Sequence, residues 1–477
     1  MCGRDEKKVV FSSLTFLCFF LPAVVILHTV FRDMRVRNAI LLVFSLVFYA
    51  WGEPFWVLGM VFTTGVNFIC SLALSRTEGT GRRKLFVLIA AAVSLAFLVY
   101  FKYAAFFVNS VTALFGAAYR LPAQRLPIGI SFYTFQAITY TVDVYRGRAE
   151  AQKNPLLVLL YISFFPQLIA GPIVQYGDVA DRLNGRSVTI RDVYYGLSRF
   201  IIGLSKKVLL ANLCGEAINL LPAAGGDQAL SILGSWLFMI LFALQIYFDF
   251  SGYSDMGIGM GRMFGFKFLE NFNYPYISKS VAEFWRRWHM SLGAFFRDYV
   301  YIPLGGNRVA KPQLVFNLLA VWILTGLWHG ASWNFTVWGA YYGVLIIAER
   351  LVFRRLLDKL PAALRLAGTL VLVLFGWALF YYESLPAGIS HIGAMLGLGG
   401  GGLTDPASVY VLKNSAVLIL VSALCCLPWA EKGKTGKRAG IGAVARGLRP
   451  ALMSGLLLLS TLFLVGQSFN PFLYFRF

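Results

Sequence analysis

Apolar stretches of spanning length recur along the whole chain, separated by short polar or basic links. About 20 apolar helical residues cross a hydrocarbon core, and the pattern places candidate spans at residues 9–30, 39–50, 55–74, 85–101, 104–118, 128–144, 156–174, 193–210 and 230–250, then at 314–328, 333–347, 366–382, 410–427 and 452–465. Residues 251–308 mix glycine with aromatic and charged side chains, which predicts re-entrant or interfacial structure buried inside a bundle. The expected fold is all-α, a polytopic transmembrane helical bundle of about 11 to 15 spans with added re-entrant and interfacial helices. It reads as a single integral-membrane domain over residues 1–477, with N-terminal helices at 1–120, a core at 121–350, C-terminal helices at 351–469 and a tail at 470–477. Neither an internal repeat nor a soluble domain is visible.

Composition narrows the class. With 58% hydrophobic and 14% charged residues, the chain is not a water-soluble globular protein. Its net charge of +21 lies in the links between apolar runs, which is the positive-inside pattern. Nucleic-acid binding is therefore not expected, whereas an anionic donor or anionic lipid headgroups are suitable partners for the surplus. Six cysteines form no Cys-x-x-Cys pairs, so neither a disulfide framework nor a metal site is indicated. Residues 9–30 resemble a signal-peptide core without a clear small-residue cleavage site and are read as a retained first span.

The basic links at 297–311, 350–365 and 432–449 lie two spans apart and are expected on the cytoplasmic side. The links at 329–332 and 384–408 carry almost no Lys or Arg and are expected outside, as is Phe477. In the first third, Arg146, Arg148 and Lys153 break the alternation, so one span there is half-length or misplaced.

Of four histidines, His329 has the most unusual setting. It follows cytoplasmic Lys311 by 18 residues of mostly apolar helix, a rise of roughly 27 Å, and so lies deep and towards the outer face. A desolvated imidazole stays neutral, which suits a general base taking a proton from an acceptor hydroxyl. A packing histidine, hydrogen-bonded between helices beside Trp328, is the competing reading; ionisable residues in spans lean functional, and residue chemistry alone does not separate the two.

His289 ends the run Phe284-Trp-Arg-Arg-Trp-His289. A capping box from Ser280 to Glu283 starts a helix there, and Trp285, Trp288, His289, Leu292, Phe296 and Tyr299 follow helical spacing. The simplest account is one amphipathic interfacial helix. Functionally, Arg286 and Arg287, with Trp285 and Trp288 beside them and Asn307 and Arg308 further on, are donor-binding candidates, because guanidinium forks match phosphate geometry. Asp249 and Asp255, in or beside an apolar setting, either orient a histidine or pair with a cation such as Arg262, the latter favoured. Tyr474, in a tail of aromatic-belt character, is a hydroxyl on a short tether able to fold back to His329. No Gly-x-Ser-x-Gly elbow, His-Glu-x-x-His or phosphate-binding loop occurs.

Five segments, Leu126-Pro-Ile-Gly-Ile-Ser-Phe-Tyr-Thr-Phe-Gln136, Phe164-Phe-Pro-Gln-Leu-Ile-Ala-Gly-Pro-Ile173, Ile246-Tyr-Phe-Asp-Phe-Ser-Gly-Tyr-Ser-Asp255, the stretch from Phe284 to Arg308, and Leu324-Thr-Gly-Leu-Trp-His-Gly330, follow one another in order through the middle of the chain, from residue 126 to residue 330. Together they resemble the membrane-bound O-acyltransferase (MBOAT) family, in its alginate O-acetyltransferase-like bacterial branch. The resemblance implies a ring of tilted helices around a central tunnel, with His329 catalytic and His289 lining the same tunnel. It further implies that Tyr474, within Phe472-x-Tyr474-x-x-Phe477, relays the acyl group. Acetyl-CoA is then the expected donor on the cytoplasmic side, and an SGNH-type or alginate-acetylation-like protein outside the membrane the expected partner. The expected acceptor is a polysaccharide, and the expected location the bacterial inner or plasma membrane. Two other readings stand beside it: a teichoic-acid D-alanyl transferase using a carrier-protein thioester, and a glycan or lipid transporter, which the absence of visible inverted repeats disfavours.

Overall fold

The computed structural model describes residues 11–168, 171–222, 229–429, 439–466 and residue 473. Every regular element among them is helical, and nine helices are long and apolar enough to cross a membrane. In chain order the elements used below are α1 (Phe16–Val30), α2 (Met34–Gly52), α3 (Trp56–Ser75), α4 (Thr80–Leu114), α5 (Ile130–Tyr145), α6 (Pro155–Ser163), α7 (Phe165–Leu168) and α8 (Ile190–Ser205). They continue with α9 (Ile232–Met263), α10 (Val281–Arg287), α11 (Met290–Phe296), α12 (Lys311–His329), α13 (Trp333–Lys359), α14 (Ala362–Tyr381), α15 (Leu385–Met395), α16 (Pro406–Cys425) and α17 (Ala439–Gly466).

Several expected boundaries move, each for a local reason. The spans expected at 85–101 and 104–118 are one helix, α4, which passes through a π-helical stretch at Val99–Tyr103; Lys102 and Tyr103 are polar but break no helix, and one wide turn accommodates them. The span expected at 156–174 ends at Ser163 and restarts as the four-residue α7, since Pro166 has no N–H for a helix running through it. The first span is shorter among the described residues, 16–30, than a full crossing. By contrast α9 does not stop at residue 250 but runs 32 residues to Met263. Its glycines mark close approach, not a break: a Cβ at Gly257 would meet the Pro166 carbonyl oxygen at 2.6 Å. The irregular region therefore begins at Phe264.

The chain divides into two compact units, residues 1–203 with 253–269, and residues 204–252 with 270–477. In the first, α3, α4 and α5 are joined by a buried polar chain: Asn67 donates to Ser94 at 2.9 Å and accepts from Thr141 at 2.9 Å, and Ser71 donates to Thr141 at 3.1 Å. Such bonds between helices substitute for the hydrophobic drive that lipid cannot supply. Asp255 belongs to this unit and is ion-paired with Arg199 at 2.7 Å, while Arg262 pairs with Asp192 at 2.7 Å. Asp255 is thus held by Arg199, and Arg262, the cation expected for it, is paired with Asp192.

The second unit has an aromatic core built from the first part of α9 together with α10, α13 and α14. At its edge His391 of α15 is held between the Tyr382 hydroxyl at 2.8 Å and the Ser235 carbonyl at 3.0 Å, so both ring nitrogens are satisfied and the residue is structural.

Candidate active site

The expected single helix over residues 280–299 is two. Ser280 caps α10 as the capping box requires, accepting from the Glu283 N–H at 3.0 Å. The chain then turns through Trp288 into a left-handed His289 with φ +47°, and α11 starts at Met290. A non-glycine residue holds that conformation only when its surroundings fix it. Here Asn271 does so: its Oδ1 contacts His289 Nδ1 at 3.1 Å and accepts from Ser291 Oγ at 2.9 Å, and its carbonyl accepts the Met290 N–H at 2.9 Å. The turn rolls His289 away from the regular aromatic face that spacing had suggested. Burial pushes the His289 imidazole down to about 3, so it is neutral at physiological pH, and its Nε2 has no hydrogen-bond partner among the described residues.

His329 is the last residue of α12. Glycines set its position: a Cβ on Gly326 would run into the Phe335 carbonyl, and a Cβ on Gly330 into the Phe335 ring, so α12 and α13 cross at a distance only glycine permits. The imidazole, 7% exposed, packs against Trp328 (ring centroids 4.9 Å apart), Trp338 (5.0 Å) and Phe380 (5.3 Å). Trp328 also lies 5.8 Å from the His289 ring. One indole therefore bridges the two histidines.

Two cavities meet here. A chamber of about 10 Å³ is lined by His329, Asp249, Trp338, Trp377, Phe380 and Leu473, among others, space for about one water. A larger cavity of about 370 Å³ is lined by His289, Arg286, Arg297, Tyr301, Asn307 and Arg350, with Trp322 and Thr325 along it. Trp285 and Trp288 belong to both linings. In this structure they are the partition between the larger cavity and the His329 chamber.

Of the residues singled out from sequence, His289, Trp285, Trp288, Arg286 and Asn307 come together around the larger cavity, and His329 and Asp249 around the chamber. Arg287 does not join them; it pairs with Glu283 at 2.9 Å and donates to the Asn273 carbonyl at 3.1 Å. Arg308 is absent from the cavity's lining, and Arg350, donating to Asn307 Oδ1 at 2.9 Å, stands there instead. Asp249 is paired with Lys207 at 2.8 Å, each side chain 2% exposed, and accepts the Leu473 N–H at 2.9 Å. Lys207 was legible as a charge inside an apolar run, a signal in its own right; Asn271 and Arg350 gave no comparable signal. Tyr474 lies outside the described residues.

The fold and site are those of a multi-pass membrane protein with two buried histidines beside a cavity, and residues 148–385 match the model of MBOAT, the membrane-bound O-acyltransferase family. The chain belongs to that family and is a multi-pass bacterial membrane O-acyltransferase of the alginate O-acetylase type. It is 38% identical, over 98% of its length and 100% of the relative, to the Azotobacter vinelandii protein named "Probable alginate O-acetylase AlgI". It is 31% identical to a Helicobacter pylori peptidoglycan O-acetyltransferase, over 82% of this chain and 80% of the relative. To a Bacillus subtilis teichoic acid D-alanyltransferase it is 33% identical over 46% of this chain and 58% of that protein.

Proposed function

We propose that the enzyme takes an acetyl group from acetyl-CoA at its cytoplasmic side and delivers it outward for O-acetylation of an extracytoplasmic polysaccharide, with His329 as general base. The observation that carries this is the shared wall formed by Trp285 and Trp288. On one side of it stands a cavity roomy enough for a pantetheine-like arm, with Arg286, Arg297 and Arg350 to meet phosphates. On the other stands a desolvated imidazole. A thioester passing between the two indoles brings its carbonyl to His329, while neutral His289, anchored through Nδ1 to Asn271, keeps Nε2 for the donor arm.

In the transfer, the acceptor hydroxyl oxygen bonds to the acyl carbon and its proton passes to His329. The C–S bond then breaks, and the departing thiolate takes that proton. Tyr474 serves as the first acceptor, and an SGNH-type protein outside the membrane receives the group from it. The relatives' names support an acetyl group over D-alanine, since the two O-acetylating relatives align over most of their length and the D-alanyltransferase over little more than half.

The test is retention of acetyl label by inverted membrane vesicles of the producing bacterium, supplied with acetyl-labelled CoA thioester. His329→Ala should lower the rate by about 10² to 10⁴ with membrane content unchanged, and Tyr474→Phe should abolish recovery of an acetylated C-terminal peptide. Undiminished acetylation by His329→Ala would remove the base from the reaction.

A further inference from the structure

The wall of the His329 chamber carries hydrogen-bond donors that the resting protein does not use. Trp338 is fully buried, its ring centroid 5.0 Å from that of His329 with planes at 81°, and 5.4 Å from that of Trp285. Both indoles line the chamber, and the Nε1 atoms of both are buried with no acceptor among the described residues. Trp377, a third indole in the wall, likewise has its Nε1 buried with no acceptor among the described residues, although the Tyr276 hydroxyl lies near it and donates to the Ala243 carbonyl at 2.6 Å.

A buried N–H without an acceptor is costly, and native interiors keep few of them. Phenylalanine at either position would fill most of the same apolar space without that cost. Both indoles belong to the lining of the chamber that holds His329, and the Trp338 ring packs directly against the His329 ring. Contact of an indole N–H with a neighbouring ring is a weak resting interaction, and it yields readily to a charged oxygen, which binds donors far more strongly.

We propose that Trp338, assisted by Trp285, forms the oxyanion hole of the acyl transfer. This rests on the acyl-transfer reading above. As the hydroxyl oxygen bonds to the acyl carbon, the carbonyl electron pair moves onto oxygen, and the indole N–H groups donate to that oxyanion. When the pair returns, the C–S bond breaks and the thiolate takes the proton held by His329. Nothing is oxidised or reduced.

The test uses the full-length chain in inverted vesicles with labelled acetyl-CoA. Trp338→Phe keeps an aromatic ring and removes the donor. Benzothienylalanine at 338, in which sulfur replaces the N–H, keeps the full indole outline and guards against a folding defect. The expected result is a fall in maximal rate of about 10²-fold for each, with the acetyl-CoA concentration for half-maximal rate and the thermal unfolding midpoint unchanged; Trp285→Phe should give a smaller fall of the same kind. Wild-type rate in the benzothienyl variant overturns the proposal while leaving the acyl-transfer reading intact. So does a loss that tracks a lowered unfolding midpoint in both 338 variants. If the wild-type chain itself retains no label above the His329→Ala background, the reading and this inference fall together.

Discussion

Asp249 accepts the backbone N–H of Leu473 at 2.9 Å, and Leu473 and Asp249 both line the chamber that holds His329. The carboxylate is fixed from its other oxygen by Lys207 at 2.8 Å, and Lys207 is itself held by Asn212 at 2.8 Å. An ion pair buried this deeply does little for stability, because desolvation offsets most of the attraction. Its position gives it another use: it seats Leu473 in the lining of the chamber that holds His329.

This gives a double-mutant prediction. Asp249→Leu leaves a buried ammonium without its counter-charge and should destabilise by about 3 to 5 kcal/mol. Adding Lys207→Met should recover most of that loss in detergent unfolding, yet acyl transfer should stay low, since the acceptor for Leu473 is still missing. Recovery of both stability and activity would mean that the pair is only packing.

Arg350 and Arg308 should separate cleanly. Arg350 lines the larger cavity and Arg308 does not. Arg350→Gln is expected to raise the KM for acetyl-CoA about tenfold, the equivalent of one lost phosphate contact of about 1.4 kcal/mol, with kcat little changed. Arg308→Gln should leave KM as it is. Steady-state kinetics in vesicles reads both.

The α12–α13 crossing predicts a position-specific glycine effect. Gly326→Val collides with the Phe335 carbonyl and with Gly339, whereas a side chain at Gly368 meets nothing. Overpacking of this sort costs about 1 to 3 kcal/mol, so Gly326→Val should lower the unfolding midpoint and displace His329, with loss of transfer. Gly368→Val should be close to neutral in the same two assays.

Acid should weaken the fold in part through His289. Its folded-state value, about 3 because of burial, lies below its ordinary 6.5, so above pH 6.5 neither state binds a proton and no stability is at stake. As pH falls below 6.5 the unfolded chain takes up the proton first, and stability declines until the folded value is reached. His391, pushed by burial to about 4, adds to the same slope. Unfolding midpoints between pH 8 and pH 5 should therefore fall less steeply in His289→Gln than in the wild type.

Much of the fold was legible because lipid imposes a simple rule: a helix that meets hydrocarbon must be apolar over a fixed length, and nine helices among the described residues obey it. The expected spans at 55–74, 314–328 and 366–382 fall within a few residues of α3, α12 and α14 for that reason. His329 was equally legible, as an ionisable residue at the end of an apolar run. Errors concentrated where protein, not lipid, surrounds the chain. The left-handed His289, the break after Ser163 and the extension of α9 to Met263 are set by Asn271, by Pro166 and by glycine-to-backbone approach.

The sequence by itself determined that the chain crosses a membrane many times and carries an imidazole among apolar residues, because both depend on composition along the chain. Tertiary structure alone decided which side chains share a cavity: that Arg350 stands at the larger cavity in place of Arg308, that Asp249 holds Leu473 beside His329 and Asp255 holds Arg199, and that the Trp338 ring packs against His329 with an Nε1 that finds no acceptor among the described residues. Those are consequences of where distant helices cross, and close packing fixes the crossings through contacts that a local pattern of polar and apolar residues does not encode.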